Sequence, residues 1–223
     1  MSASTQLSAE TIAMADELCD IGATFYGKNW SLATSSNYSS VVARQPLALL
    51  MTASGMHKGN LSRRDFVIVD DQYRIVSALD RSASTAHQAS ADALKPSAEA
   101  ALHVQIARLT GAGSILHTHS MFGTLVSQKL VSAGPLKIRG LEMLKALPGI
   151  TTHDTEIAVP IFENTQDIKG LADRLTKETL TASSGFLIAG HGLYTWGTTI
   201  QDARRHVEAL EFLIEYVWHR GEF

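Results

Sequence analysis

"GSILHTHSMFG", residues 113–123, is an apolar run that ends in two histidines and leads into a helical pattern. Side chains two residues apart on a strand point to the same face, so His117 and His119 project together and Thr118 projects to the other side. Two imidazoles at this spacing can converge on one zinc ion. The same pair also occurs by chance at the end of a buried strand, so spacing alone leaves both interpretations open.

A third histidine decides whether this pair can form a complete site. A catalytic zinc usually takes three protein ligands and leaves one position for water or substrate. His191, in "IAGHGLYTWG", follows an apolar strand and lies between Gly190 and Gly192. Glycine on both sides permits a sharp turn and a close backbone approach. We predict that His117, His119 and His191 form a metal site, with structural histidines as the alternative.

The composition is that of an ordinary globular protein. The 223 residues are 45% hydrophobic and 18% charged, with a net charge of −3, so neither a nucleic-acid footprint nor a polybasic membrane patch is indicated. The single cysteine, Cys19, excludes an intrachain disulfide and fits a reducing cytosol. "MSASTQLSAE" has no signal-peptide pattern, and no apolar run approaches the roughly 20 residues of a membrane span. Since no linker or repeat is evident, we predict one domain over residues 1–223.

Helical and strand patterns alternate along the chain, which predicts an α/β or α+β class. Ser97 is a predicted N-cap for the second helix, and Thr199 with Asp202 forms a predicted cap box for the last one. The predicted helices cover 7–26, 95–109, 121–131, 140–147, 166–180 and 200–217, and the predicted strands cover 37–43, 48–53, 65–70, 74–79, 113–120, 155–162, 185–190 and 192–197.

Two loops, "ATSSNYSS" (33–40) and "MTASGMHKGN" (51–60), are rich in hydroxyl and small side chains. The second adds Gly55 and Lys58, so the pair can offer backbone N–H groups, hydroxyls and an ammonium to a phosphate. Neither matches a Walker A or dinucleotide fingerprint. By spacing alone, two ordinary polar turns remain the alternative.

Taken together, "ATSSNYS", "TASG", "KPSAEAALHVQIARL", "HTHS" and "GHGLYTWG" resemble the class II aldolase/adducin superfamily over nearly the whole chain. "LEMLKAL", "IFENTQDI" and "GHGLYTWGTTIQDARRHVEALEFL" are most similar to the ketose-phosphate dehydratases of methionine salvage within it. The resemblance implies an α/β fold, built as a three-layer α/β/α sandwich with a mainly antiparallel central sheet. It also implies a cytoplasmic homotetramer with active sites near subunit interfaces.

The resemblance further implies zinc, one ion per subunit, held by His117, His119 and His191, with Fe or Co as the alternative metals. The implied substrate is a phosphorylated ketose, with no nucleic-acid or membrane partner. The residues that match the family's phosphate-binding loops are Thr34, Ser35, Asn37, Ser54, Gly55 and Lys58. Two departures concern these loops: Ser36 stands where the common loop has glycine, and no arginine follows "NYS" closely. A serine is expected there only if its backbone avoids the region that favours glycine.

Two carboxylates match catalytic positions of the family. Glu142, in the "EM.K" stretch, is the first candidate for the acid/base, and Glu99, in "PSAE", is the second. From the residues alone, Glu142 could be a surface partner of Lys145, and Glu99 a helix-terminal acid favoured by the dipole.

The implied reaction is zinc-dependent loss of water from a ketose phosphate with a methylthio end. The alternatives are a sugar-phosphate aldolase or a pentulose-phosphate 4-epimerase with related chemistry, and a non-catalytic adducin-like scaffold.

Overall fold

A computed structural model describes residues 8–79, 94–181 and 183–221. The strands within these ranges are β1 (Asn37–Arg44), β2 (Leu47–Thr52), β3 (Phe66–Asp70), β4 (Ile75–Ala78), β5 (Ser114–Thr118), β6 (Leu136–Arg139), β7 (Glu156–Val159), β8 (Ile161–Phe162), β9 (Gly185–Ile188) and β10 (Gly192–Gly197). Eight of them form one sheet in the order β4-β3-β2-β1-β5-β10-β9-β8. All neighbours in this sheet are antiparallel except β8 and β9, which are parallel. The predicted mainly antiparallel sheet is confirmed.

Helices cover both faces of this sheet. They are α1 (Ala9–Gly27), α2 (Ala100–Thr110), α3 (Met121–Leu130), α4 (Ile168–Arg174), α5 (Lys177–Thr181) and α6 (Ile200–Arg220). α2, α4 and α5 share a buried apolar cluster with one face, and α1, α3 and α6 pack against the other. The predicted three-layer α/β/α sandwich is therefore confirmed. None of the described helices combines the length and hydropathy required to cross a membrane.

The side chains of the central strand β5 alternate between the two helical layers. All five of its residues are buried, as its uncharged pattern predicts. Ile115 lies in the cluster under α2, and Leu116 lies in the cluster under α1 and α6. Alternation continues along the strand, so His117 faces α2 while Thr118 hydrogen-bonds Glu211 of α6. The first predicted metal ligand thus belongs to the α2 face.

The helix ends agree in part with the prediction. Thr199 is the N-cap of α6, and its hydroxyl accepts the N–H of Asp202 at 3.0 Å, as predicted. Ser97 does not cap α2, because the helix begins three residues later with Glu99 as its N-cap residue. The Ser97 hydroxyl instead accepts the N–H of Glu99 at 3.2 Å. α1 matches the predicted first helix from Ala9 onward, and the predicted start at Leu7 lies outside the described residues.

Four other elements differ from prediction. The segment 166–180 forms α4 and α5 rather than one helix, because Thr176 acts as a cap whose hydroxyl accepts the N–H of Thr179. The segment 155–162 divides at Pro160, which has no N–H to donate: β7 pairs with β6 in a separate sheet, and β8 joins β9. The predicted helix at 140–147 is a short 3₁₀ helix, Glu142–Ala146. β6 is a strand that the sequence reading did not predict.

Candidate metal centre

The structure brings the three predicted histidines together at the C-terminal end of the central strand β5. His117 lies on β5, His119 lies just beyond that strand, and His191 lies in the turn between β9 and β10. One ligand atom from each ring lies within 4.8 Å of the other two. The ring centroids are 4.5–4.9 Å apart. We call these three residues the histidine cluster.

Backbone contacts hold the cluster in place. His119 donates its N–H to the carbonyl of Trp30 at 2.7 Å, which fixes the chain just after β5. Gly192 packs so closely that a Cβ there would lie 1.9 Å from the carbonyl oxygen of Thr118. Only glycine fits this position, and the turn that carries His191 can therefore lie directly against β5.

The hydrogen bonds of His117 decide which of its nitrogens is free. Its Nδ1 lies 3.0 Å from the carbonyl of Leu193, and a carbonyl only accepts, so Nδ1 carries the proton. Its Nε2 therefore keeps a lone pair, and this buried atom has no hydrogen-bond partner among the described residues, as is also true of Nδ1 of His191. Burial lowers the pKa of His117 well below 6.5 and, with the neighbouring His191, lowers the pKa of His119 to about 4. Neutral imidazoles with unused nitrogens fit a metal ion.

Glu99 adds a carboxylate to the cluster from the start of α2. Its Oε1 lies 3.0 Å from Nε2 of His191, its Oε2 lies 3.6 Å from Nε2 of His117, and Asn37 donates its amide to Oε2. Burial by itself raises the pKa of Glu99, but the two imidazoles and the Asn37 amide outweigh it and hold this pKa well below the usual range. Glu99 is thus an ionised carboxylate beside the predicted ligands, and more than a helix-terminal acid.

Tyr194 is a residue of the site that the sequence reading missed. Its ring stacks on His117 at a centroid distance of 4.0 Å and an interplanar angle of 14°, and Phe186 stacks behind it at 5.0 Å. The strand register explains this contact, because Asn37, His117 and Tyr194 are direct neighbours across β1, β5 and β10. Alternation along each strand predicts which face a side chain takes, but it does not predict cross-strand neighbours.

Lys58 is the most buried of the predicted phosphate-binding residues. Its side chain is 1% exposed, and its ammonium donates to the carbonyl of Met56 at 2.6 Å. Burial lowers the pKa of Lys58 to about 8, although the carboxylates of Asp65 and Glu99 act in the opposite direction. Its charge also acts on His119, so this loop lies beside the histidine cluster.

The other predicted phosphate residues differ in their availability. Thr34, Ser54 and Gly55 are exposed, whereas the Ser35 hydroxyl donates to the carbonyl of Leu32 at 2.6 Å. The side chain of Asn37 is already bonded at both its oxygen and its nitrogen.

Ser36 takes a backbone conformation that the sequence reading considered unfavourable for it. Its φ is 71°, inside the left-handed region where glycine is favoured. Ala33 also has a positive φ, 54°, so the loop keeps a strained path without glycine at either position. The Ser36 hydroxyl points back to the carbonyl of Trp30 at 3.5 Å.

Glu142 lies on the 3₁₀ helix at the protein surface, with 68% of its side chain exposed. Its carboxylate pairs with Lys145 at 2.6 Å and with His153 at 3.0 Å, and neither of these belongs to the histidine cluster. The alternative predicted from spacing, a surface pair with Lys145, is present in the structure. Lys145 first, and His153 as well, lower the pKa of Glu142, and they outweigh burial, which acts in the opposite direction.

The fold and the histidine cluster define the chain as a member of the class II aldolase/adducin family: the family model "Class II Aldolase and Adducin N-terminal domain" matches residues 16–218. An L-fuculose 1-phosphate aldolase shares the fold with a TM-score of 0.73, at 19% identity, over 99% of this chain and 91% of that one. Within the family, the chain groups with the methylthioribulose-1-phosphate dehydratases. That of Hahella chejuensis is 42% identical over 204 residues, or 90% of each chain. That of Pseudomonas aeruginosa (strain LESB58) is 42% identical over 205 residues, covering 91% of this chain and 92% of the relative.

Proposed function

We propose that this protein removes water from 5-methylthioribulose 1-phosphate, as a hydro-lyase of methionine salvage in the cytoplasm, and yields 2,3-diketo-5-methylthiopentyl 1-phosphate. The observation that carries the proposal is the histidine cluster in a chain 42% identical to methylthioribulose-1-phosphate dehydratases. Aldolases resemble the chain at about 20% identity, which indicates a shared fold alone. In this proposal, residues 1–223 form one catalytic domain.

The metal that we propose is one zinc ion per subunit, held by His117, His119 and His191. Three neutral imidazoles that leave one position open are the ligand set of a catalytic zinc. When bound, zinc supplies Lewis-acid polarisation of the ketose oxygens. The buried, unpartnered Nε2 of His117 supports this assignment, because a buried polar atom without a partner is otherwise destabilising.

The chain must also move two protons. One leaves C3, which is acidic because it lies next to the C2 carbonyl, and one is delivered to the hydroxyl that departs from C4 as water. The resulting enol loses the proton of its C3 hydroxyl and gains one at C4, which gives the diketone. A carboxylate within hydrogen-bond reach of these atoms is the expected acid/base.

Glu142 is our first candidate for this role, from its match to the family motif, and Glu99 is the second. Within one subunit, Glu142 pairs with the surface residues Lys145 and His153. It can act on the substrate only if assembly of subunits places it beside the histidine cluster of a neighbouring subunit. The homotetramer that we propose, with sites near subunit interfaces, meets that need. Glu99 needs no assembly, because it is ionised and lies 3.0 Å from His191.

The phosphate end of the substrate would be held by the loops at 34–37 and 54–58. The support is the Lys58 ammonium, together with Gly55 and the exposed Ser54 next to it. Binding energy from a phosphate held there would orient the reacting carbons at the cluster.

The test is an assay of the zinc-loaded protein that distinguishes loss of water from release of an aldehyde. Methylthioribulose 1-phosphate should yield the diketone, and other ketose phosphates should not be cleaved. Glu142→Gln should reduce kcat by at least about 100-fold, since acid–base catalysis contributes about 10²–10⁴-fold. Glu10→Gln, an exposed carboxylate on α1, is the control. Full activity of Glu142→Gln would transfer the role to Glu99, and aldehyde release without diketone would refute the dehydratase.

A further inference from the structure

A continuous set of buried hydrogen bonds leads from the sheet to Glu99. Ser39 of β1 bonds His103 of α2, with 2.7 Å between Oγ and Nδ1. Nε2 of His103 bonds Oδ1 of Asn37, and Nδ2 of Asn37 bonds Oε2 of Glu99. Ser39 and His103 are 0% exposed, and Asn37 is 5% exposed. We call this set the Ser39–Glu99 chain.

The amide of Asn37 determines the direction of the bonds in this chain. Its NH₂ donates to Oε2 of Glu99, and its carbonyl oxygen faces Nε2 of His103. That oxygen only accepts, so Nε2 of His103 carries a proton and Nδ1 keeps the lone pair. Nδ1 in turn accepts from the Ser39 hydroxyl. His103 remains neutral in this arrangement, since burial lowers its pKa to about 4.

Packing alone does not explain a histidine at this position. The neighbouring buried residues of α2 include Leu102, Val104 and Ile106, all apolar, and a buried polar ring is stable only when its nitrogens are bonded. Both nitrogens of His103 are bonded, and the chain they form ends at the histidine cluster.

Glu99 has little else to fix its orientation. It occupies the N-cap of α2 but makes no side-chain capping bond, and its side chain is 12% exposed. Its other neighbours are His117 and His191, the predicted metal ligands themselves, and Tyr194, on whose hydroxyl the carboxylate also acts. Nδ1 is the unused nitrogen of His191, so its Nε2 can keep Oε1 of Glu99 when a metal binds, and the bond from Asn37 is the one that holds Oε2.

We propose that His103 is a positioning residue, which acts through Asn37 to hold the Glu99 carboxylate beside the metal ligands. The inference rests on the proposed metal-dependent function, but two of its tests need no substrate. Outer partners of metal ligands typically contribute about 10–100-fold to metal affinity or activity.

The first test is the tautomer of His103 in the wild-type protein. Long-range ¹H–¹⁵N correlation spectra should show Nε2 as the protonated nitrogen and Nδ1 as the unprotonated one. Protonation of Nδ1 instead would reverse the bond to Ser39 and overturn the proposal. This measurement requires no variant, so it remains decisive even if a substitution at this buried site prevents folding.

The second test compares variants by chelator competition for Zn²⁺ and by kinetics. His103→Leu should weaken zinc binding or lower kcat by about 10–100-fold with KM nearly unchanged. His103→Gln keeps an N–H that can reach Asn37 and should recover much of the loss. Ser39→Ala removes only the far donor and should have a smaller effect.

His206→Gln is the matched control, because His206 is also buried, at 4% exposure, and among the described residues it bonds the carbonyl of Trp196 and no part of the Ser39–Glu99 chain. Wild-type zinc affinity and kcat in folded His103→Leu would overturn the positioning role. So would equal losses in His103→Leu and His206→Gln, since these would indicate general destabilisation. A protein that fails to dehydrate the substrate but shows the expected tautomer and zinc affinities would refute the proposed reaction and leave the positioning role standing.

Discussion

Glu211 should make the stability of this protein depend on pH. It lies on α6 with 2% of its surface exposed, and Thr118 donates its hydroxyl to the carboxyl. Burial raises the pKa of Glu211 from 4.5 to about 7, even though hydrogen bonds from Thr118 and Ser120 act to lower it. At about 1.4 kcal/mol for each tenfold change in proton affinity, this displacement corresponds to about 3 kcal/mol.

The sign follows from proton linkage. The folded state binds the proton of Glu211 more tightly than the unfolded state, so this stabilisation is fully present below about pH 4.5 and is lost as the pH rises through about 7. Glu211→Gln keeps the shape and an acceptor for Thr118 but cannot ionise. The variant should therefore gain stability relative to wild type by about 3 kcal/mol between about pH 4.5 and pH 8.

The assay is urea unfolding of both proteins across this pH range, at one protein concentration and with a chelator present. His103 and His119, whose pKa values are lowered to about 4, contribute the opposite slope between about 4 and 6.5. They are present in both proteins, so their contributions cancel in the difference. Glu208→Gln, a half-exposed carboxylate of α6 beside Arg204, is the control and should change stability by less than about 1 kcal/mol. A difference between Glu211→Gln and wild type that stays constant with pH would refute the reasoning.

Three further predictions concern the site. His119→Ala should lower the metal content from about one ion per chain to near zero in elemental analysis; a variant that retains its metal would exclude His119 as a ligand. Gly192→Ala should destabilise the protein by about 1–3 kcal/mol or more in thermal unfolding, because the new Cβ would meet the Thr118 carbonyl at 1.9 Å. Gly27→Ala is its control, because the new Cβ would meet no described atom within 4 Å beyond its chain neighbours and its own helix backbone, and equal Tm values for the two variants would contradict the packing argument. Lys58→Met should raise KM for the phosphorylated substrate by about 10–100-fold. Wild-type KM should likewise rise above about pH 8 as the ammonium is lost, and a flat KM across that pH would argue against phosphate binding by Lys58.

Much of the site was predictable because it depends on local chain geometry. The two-residue repeat of a strand puts His117 on the α2 face. His119 is only two residues further along the chain, so it lies close to His117. The glycines around His191 indicate a tight turn, and the structure shows that Gly192 is required for close packing. The helix cap at Thr199 follows from a bond between neighbours in sequence.

Other features were not predictable from local pattern. The divided segments at 155–162 and 166–180 depend on which sheet each strand joins and on whether Thr176 caps a helix or lies within one. Glu142 remains a prediction, because its proposed role depends on a neighbouring subunit rather than on its own chain.

Hydrophobic periodicity by itself determined interleaved helices and strands, an α/β or α+β class, and strand spacing with glycine placement singled out the three histidines, since these signals act over a few residues. The layered sandwich was implied by the resemblance to the family. Only the tertiary structure decided what surrounds those histidines. Glu99, Asn37 and His103 meet because β1 pairs with β5 in one register and α2 packs over both. Such contacts depend on cross-strand register and helix packing, which join residues more than sixty positions apart and leave no period in the sequence.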